Sequence, residues 1–239
     1  MDQVKLTAKQ EWKSGWTLVL AASLGFSFFS VMLASTGLFM EPLGDEFGWS
    51  RTLLSSGPSI AVVATALLGP FLGMLVDRFG VRKVALPGLV LTMASIASFS
   101  LLDGTQVQWI ALWVVFGIVS VSIKSTAWTT AVVGVFQKSR GLALGLTLAG
   151  TAVAQSVVPP LGNFLITEFG WRAGFVWLGM GWGGITLFFC LLFLFDARDR
   201  AASRRKADVL AGRSTEEEVP AVEFSGLTIP QAWRDSALW

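Results

Sequence analysis

Histidine and tyrosine are absent from the 239 residues, and cysteine occurs once, as Cys190. A single thiol with no imidazole excludes a disulfide framework and a Cys/His metal site, and no nucleophile and base pair emerges, so neither an enzyme nor a cofactor is expected. Charge is scarce as well. Only 14% of residues are Asp, Glu, Lys or Arg, while 53% are hydrophobic and the mean hydropathy is +0.64. That balance excludes a water-soluble domain, in which about a quarter of residues are charged. No nucleic acid partner is expected; the partner that the composition demands is the lipid bilayer.

In place of charge the chain has long apolar runs. Six stretches, 15–40, 53–76, 84–102, 107–136, 141–165 and 173–195, approach or exceed the length needed to cross a membrane, which is roughly 20 helical residues for a ~30 Å hydrocarbon core. The first is too long for a cleaved signal peptide and no small-residue cleavage site follows it. The links are short, so the expected fold is all-α and integral to the membrane, with six transmembrane helices in one bundle over 15–195 and a tail at 1–14. Fifteen of the 18 Lys and Arg residues fall on one side of this arrangement: in the N-terminal tail, in the links after the second and fourth spans, and after the sixth. The other side holds Arg51 and Arg172 beside Glu41, Asp45, Glu46, Asp103 and Glu168. By the positive-inside rule both termini are cytoplasmic. Trp12 and Trp16 at the inner entry, and Trp49, Trp109 and Trp171 near outer boundaries, read as interface anchors.

The stretch GMLVDRFGVRK, 73–83, concentrates charge between two apolar runs and so reads as a cytoplasmic turn. Gly80 suits a tight reversal with positive φ. Gly73 permits close approach of a neighbouring helix, and Asp77 is placed to accept charge-assisted hydrogen bonds. Taken as Gly73, Leu75, Asp77, Arg78, Gly80, Arg82 and Lys83 between the second and third of six spans, the pattern resembles the signature loop of the major facilitator superfamily, with Val81 where many members carry a further basic residue. The stretches EFGWSRT (46–52), FQKSRGLALG (136–145), VVPP (157–160) and FGWRAGF (169–175) are similar to bacterial relatives of the monocarboxylate transporters, including the oxalate/formate antiporter group. The resemblance implies the N-terminal half of a major facilitator fold and a carrier of small organic anions working by alternating access. It further implies a multi-pass protein of the plasma membrane, in bacteria the inner membrane. Gly73, Asp77, Arg78, Gly80, Arg82 and Lys83 would then act in conformational gating; the plainer reading is a charged turn that sets topology.

Carriers of this kind have two six-helix halves with the cargo between them near the midplane. Residues 196–226 read as a cytoplasmic connector, and 227–239 as the lead into a seventh helix, with Thr228 as N-cap and Pro230 in the first turn. Span 2 carries small residues at every fourth position, Gly57, Ala61, Thr65, Gly69 and Gly73, and span 5 begins a similar stripe at Gly141, Gly145 and Ala149. Under the resemblance these stripes receive a C-terminal six-helix half; the alternative is packing within the bundle.

Candidate cargo contacts lie on three spans. Ser23, Ser27, Ser30 and Ala34 align on one face of span 1, either lining a pore or bonding carbonyls one turn back. In span 4, Ser120, Lys124 and Trp128 share a side, and Lys124 lies ~18 Å from the cytoplasmic end at the helical rise. No Asp or Glu occurs in any span, so its counter-charge is an anionic substrate, an acid from another half, or water in a cavity. The family's arginine near the start of span 4 is replaced by Trp113. Pro159 and Pro160 mark a kink or local unwinding of span 5, and Gln155 one turn earlier is a further candidate contact, or an interhelical hydrogen bond. Two other readings stand beside the carrier: a six-span subunit that transports nothing by itself, and an inactive fragment.

Overall fold

The computed structural model describes residues 7–195. The connector at 196–226 and the segment at 227–239 lie outside the described residues, as does most of the tail. The described chain is helical with no strand: α1 (Ala8–Phe47), α2 (Arg51–Phe79), α3 (Val81–Ser98), α4 (Gln106–Ser120), α5 (Ser125–Val133), α6 (Arg140–Val176) and α7 (Gly183–Phe193). A 3-10 turn, Phe99–Leu101, extends α3; a second, Val121–Ile123, follows α4; and a π segment, Trp177–Trp182, joins α6 to α7. Five helical stretches are long and apolar enough to cross a membrane. Their outer faces carry many exposed large apolar side chains, among them Leu67, Phe71, Phe164, Phe188 and Leu192, as a protein solvated by lipid requires.

Helix α1 starts at Ala8, inside the expected tail, because Thr7 and Gln10 form a capping box: Thr7 N donates to Gln10 Oε1 at 2.8 Å and Gln10 N to Thr7 Oγ1 at 3.4 Å. The reversal expected in the 73–83 stretch is present and is confined to Gly80. Helix α2 continues through Asp77 and Arg78 to Phe79, and α3 begins at Val81, so the whole reversal is made at Gly80 (φ 85°, ψ 157°). That region of backbone space is open essentially to glycine alone. Gly170 repeats the same geometry within α6 (φ 81°, ψ 161°), and no other residue of α6 leaves helical angles. Of the kink or local unwinding expected at Pro159 and Pro160, unwinding is absent.

The two ends of the bundle differ in what closes them. At the end carrying the cations, Glu11 is buried beneath the link between α5 and α6, its carboxylate accepting from the amides of Gln137, Lys138 and Ser139 at 3.1–3.2 Å and from Ser139 Oγ at 2.9 Å. At the end carrying the carboxylates, Arg172 pairs with Glu46 through both guanidinium nitrogens (2.8 and 3.2 Å) and lies over the Trp171 ring, while Trp171 Nε1 donates to Glu46 at 2.6 Å. Trp49, Trp109 and Trp171 are buried here, donating to Gly104 O, Leu53 O and Glu46. They are core residues and not the expected interface anchors, because neighbouring helices and the link before α4 supply both apolar contact and an acceptor for each indole. Trp16, by contrast, is 53% exposed.

The small-residue stripe of α2 divides in two. Gly57 is filled against by the Trp113 ring of α4, and Gly117 of α4 lies against Ala61 and Ala64, so this half of the stripe is spent within the bundle. A Cβ added at Gly69 or Gly73 would meet no neighbour, and the same holds at Gly141 and Gly145 of α6. Gly73 thus has no described helix against it.

Candidate functional site

The fourth apolar run is not one helix. After Ser120 the backbone tightens into the 3-10 turn, Lys124 adopts an extended conformation (φ −65°, ψ 163°), and α5 restarts at Ser125. The local composition explains the weakness: Ser120, Ser122, Thr129 and Thr130 all turn their hydroxyls back onto carbonyls three or four residues earlier, a pattern that bends helices. The break also leaves carbonyls without helical donors. Trp128 supplies one, its Nε1 donating to Ile123 O at 2.7 Å. Its ring is fully buried and packs so close to Gly25 of α1 that a Cβ would not fit there. On another side Gly88 of α3 admits Ser122. Two glycines and one indole therefore seat the break among α1, α3 and α4.

Lys124 itself is half-buried. No described acid forms an ion pair with Lys124. It caps the start of α5 without a side-chain hydrogen bond to the first amides. Unsatisfied amides at a helix start carry positive potential, so cation and helix start combine to favour an anion.

The remaining candidates are dispersed. Ser120 is buried and bonded to Gly117 O. Ser27 donates to Leu24 O at 2.8 Å and accepts from Trp182 Nε1 at 3.0 Å, and Ser30 donates to Phe26 O and approaches Thr151 Oγ1 at 3.5 Å. Both are buried. The serine face of α1 is therefore a packing seam toward α6 and the π segment, with hydroxyls bonded one turn back, and it does not line an open surface. Gln155 is exposed on α6. In the gating stretch, Arg82 Nη2 donates to Leu191 O at 3.2 Å, near the end of α7, while Asp77, Arg78 and Lys83 are exposed. Glu11 and its three amides were missed from sequence; its one signal is being an acid placed between Lys9 and Lys13 before the first span.

The sequence pattern of the Major Facilitator Superfamily matches residues 17–239. Monocarboxylate transporter 1 of Bos taurus is 27% identical over 165 residues, covering 69% of this chain and 33% of that protein. Monocarboxylate transporter 14 of Mus musculus is 32% identical over 165 residues, covering 66% and 31%. The chain thus spans about a third of the length of the curated relatives it matches. These relatives are transporters and not enzymes. With membrane-length helices throughout and a family match over most of its length, the chain belongs to the Major Facilitator Superfamily as a multi-pass membrane protein.

Proposed function

We propose that the chain forms a six-crossing half of a secondary carrier for small organic anions such as monocarboxylates, working by alternating access. The observation that carries this reading is Lys124, a half-buried cation at a helix break within a span, with no described acid to pair with. A lysine at the centre of a span costs roughly 2.5–3.5 kcal/mol on the insertion scale, and the start of α5 adds positive potential at the same place. A small carboxylate is the cargo such a site takes. The names of the matched relatives, monocarboxylate transporters, support the same class.

In this reading Lys124 holds the carboxylate and Gln155 contacts the cargo from α6. Ser120, Ser27, Ser30 and Trp128, buried with their polar atoms occupied, hold the helices in place around it. Six crossings follow from the last stretch, Arg140–Phe193: its 54 residues would measure ~80 Å as one helix, far beyond a ~30 Å core, and Gly170 supplies the reversal. A second six-helix half packs on the open faces at Gly69, Gly73, Gly141 and Gly145. Asp77, Arg78, Arg82 and Lys83 act in gating on the cytoplasmic side. The distribution of Lys and Arg supports cytoplasmic termini in a plasma membrane.

The test is carboxylate binding by calorimetry on the carrier assembled with its second half. Lys124→Arg should keep partial affinity, and Lys124→Met should lose ~1.5–3 kcal/mol or more, the scale of a charge-assisted hydrogen bond in a low-dielectric site. Wild-type affinity in Lys124→Met rejects the reading.

A further inference from the structure

The opening turns of α1 carry a stripe that neither the bundle nor the transport cycle uses. Lys9, Lys13, Trp16 and Leu20 follow one another at spacings of four, three and four, which stacks them on one helical face. All four are exposed, Trp16 at 53% and Leu20 at 36%. The capping box at Thr7 starts the helix ahead of Lys9, so both lysines stand on formed helix.

No acid among the described residues compensates their charges. Lys9 and Lys13 are like charges one turn apart, which repel, and they lie at the positive end of the helix dipole, where an anion is favoured and a cation is not. Glu11, the one acid in these turns, is about 200° around the helix from each lysine, and its carboxylate is spent on the amides of Gln137, Lys138 and Ser139. No described acid pairs with Lys9 or Lys13. One turn deeper the same face becomes an exposed indole and then a leucine. Lys13 and Trp16 are separated by ~5 Å along the axis, within the ~5–8 Å depth of one headgroup layer. The face therefore reads, from water inward, as cation, interfacial aromatic and hydrocarbon.

We propose that this stripe binds one anionic phospholipid, with the headgroup phosphate between the Lys9 and Lys13 ammonium groups and the glycerol region against the Trp16 indole. A bound lipid would fasten the start of α1 to the membrane surface at the cation-bearing end. A soluble anion would satisfy the lysines but leave Trp16 and Leu20 without a role, so the occupant is a lipid.

Native mass spectrometry of the full chain, released from bilayers of equal phosphatidylglycerol and phosphatidylcholine, tests this. The wild type should retain phosphatidylglycerol in preference. Lys9→Gln/Lys13→Gln should lose that preference by about thirtyfold, the order supplied by two lysines at a membrane surface. Arg51→Gln/Lys83→Gln, which removes the same net charge elsewhere, should keep it, and Trp16→Ala should reduce retention of both lipids. An unchanged preference in Lys9→Gln/Lys13→Gln, an equal loss in the charge control, or undiminished lipid retention in Trp16→Ala each overturns the assignment.

Discussion

Arg82 and Arg172 perform the same task at opposite ends of the bundle: the Nη2 of each donates, at 3.2 Å, to a carbonyl at the far end of the helical run that the other opens. Arg82, at the start of α3, reaches Leu191 in the last turn of α7, and Arg172, at the start of the run into α7, reaches Leu102 just beyond α3. Each follows a Phe-Gly pair whose glycine has nearly the same unusual angles, Gly80 and Gly170. A guanidinium at a helix C-terminus satisfies an orphan carbonyl and opposes the dipole's negative end, so the two arginines staple α3 to α7 at both membrane faces.

The staples are unequal. Arg172 also pairs with Glu46 and stacks on Trp171, whereas Arg82 has Leu191 O as its described partner. In nanodiscs, Arg172→Gln should therefore lower the thermal unfolding midpoint more than Arg82→Gln. Equal or reversed effects would show that the extra contacts at Glu46 and Trp171 contribute nothing.

The glycines separate by conformation and by neighbour. Gly80→Ala and Gly170→Ala each force a Cβ into backbone angles that cost ~1–3 kcal/mol, so both should destabilise the bundle. Gly73→Ala, in helical backbone with open space around it, should stay within about 0.5 kcal/mol of wild type in this chain by itself. Gly57→Ala should be the most damaging, since Trp113 occupies the space. Thermal denaturation of the four variants checks the ranking.

Trp128→Phe keeps most of the ring that fills Gly25 but removes the donor to Ile123 O. Leaving that buried carbonyl unpaired should cost ~1–3 kcal/mol and loosen the break. Hydrogen exchange at Ser125 and Thr126 should then accelerate; unchanged protection would mean that the indole N–H does not hold the break.

Orientation is testable through exposed link residues. In a Cys190→Ala background, a cysteine at Asp103 should react with an impermeant reagent added outside intact cells, and one at Lys138 only after permeabilisation. Cys190 is itself fully buried, so Cys190→Ala serves only to remove background labelling. Labelling of Lys138→Cys from outside would invert the topology.

Much of this protein was decided by covalent sequence acting locally. Apolar runs of membrane length require helices because lipid offers backbone groups no hydrogen bonds, and Gly80 marks a reversal because only glycine tolerates its angles. The family pattern lay in the same short stretches. Tertiary structure decided what depends on a neighbour. Periodicity placed Ser27 and Ser30 on one face of α1, but only the arrival of Trp182 and Thr151 made that face a seam. The stripe of α2 was visible as a repeat, yet α4 takes Gly57 and Ala61 and leaves Gly69 and Gly73 open. The apolar run through Lys124 has the hydropathy of an unbroken helix; the break depends on an acceptor at Ile123 meeting a donor from Trp128, in space that Gly25 opens from another helix. Hydropathy measures transfer of each residue into lipid, and contains no information on which helix will stand beside it.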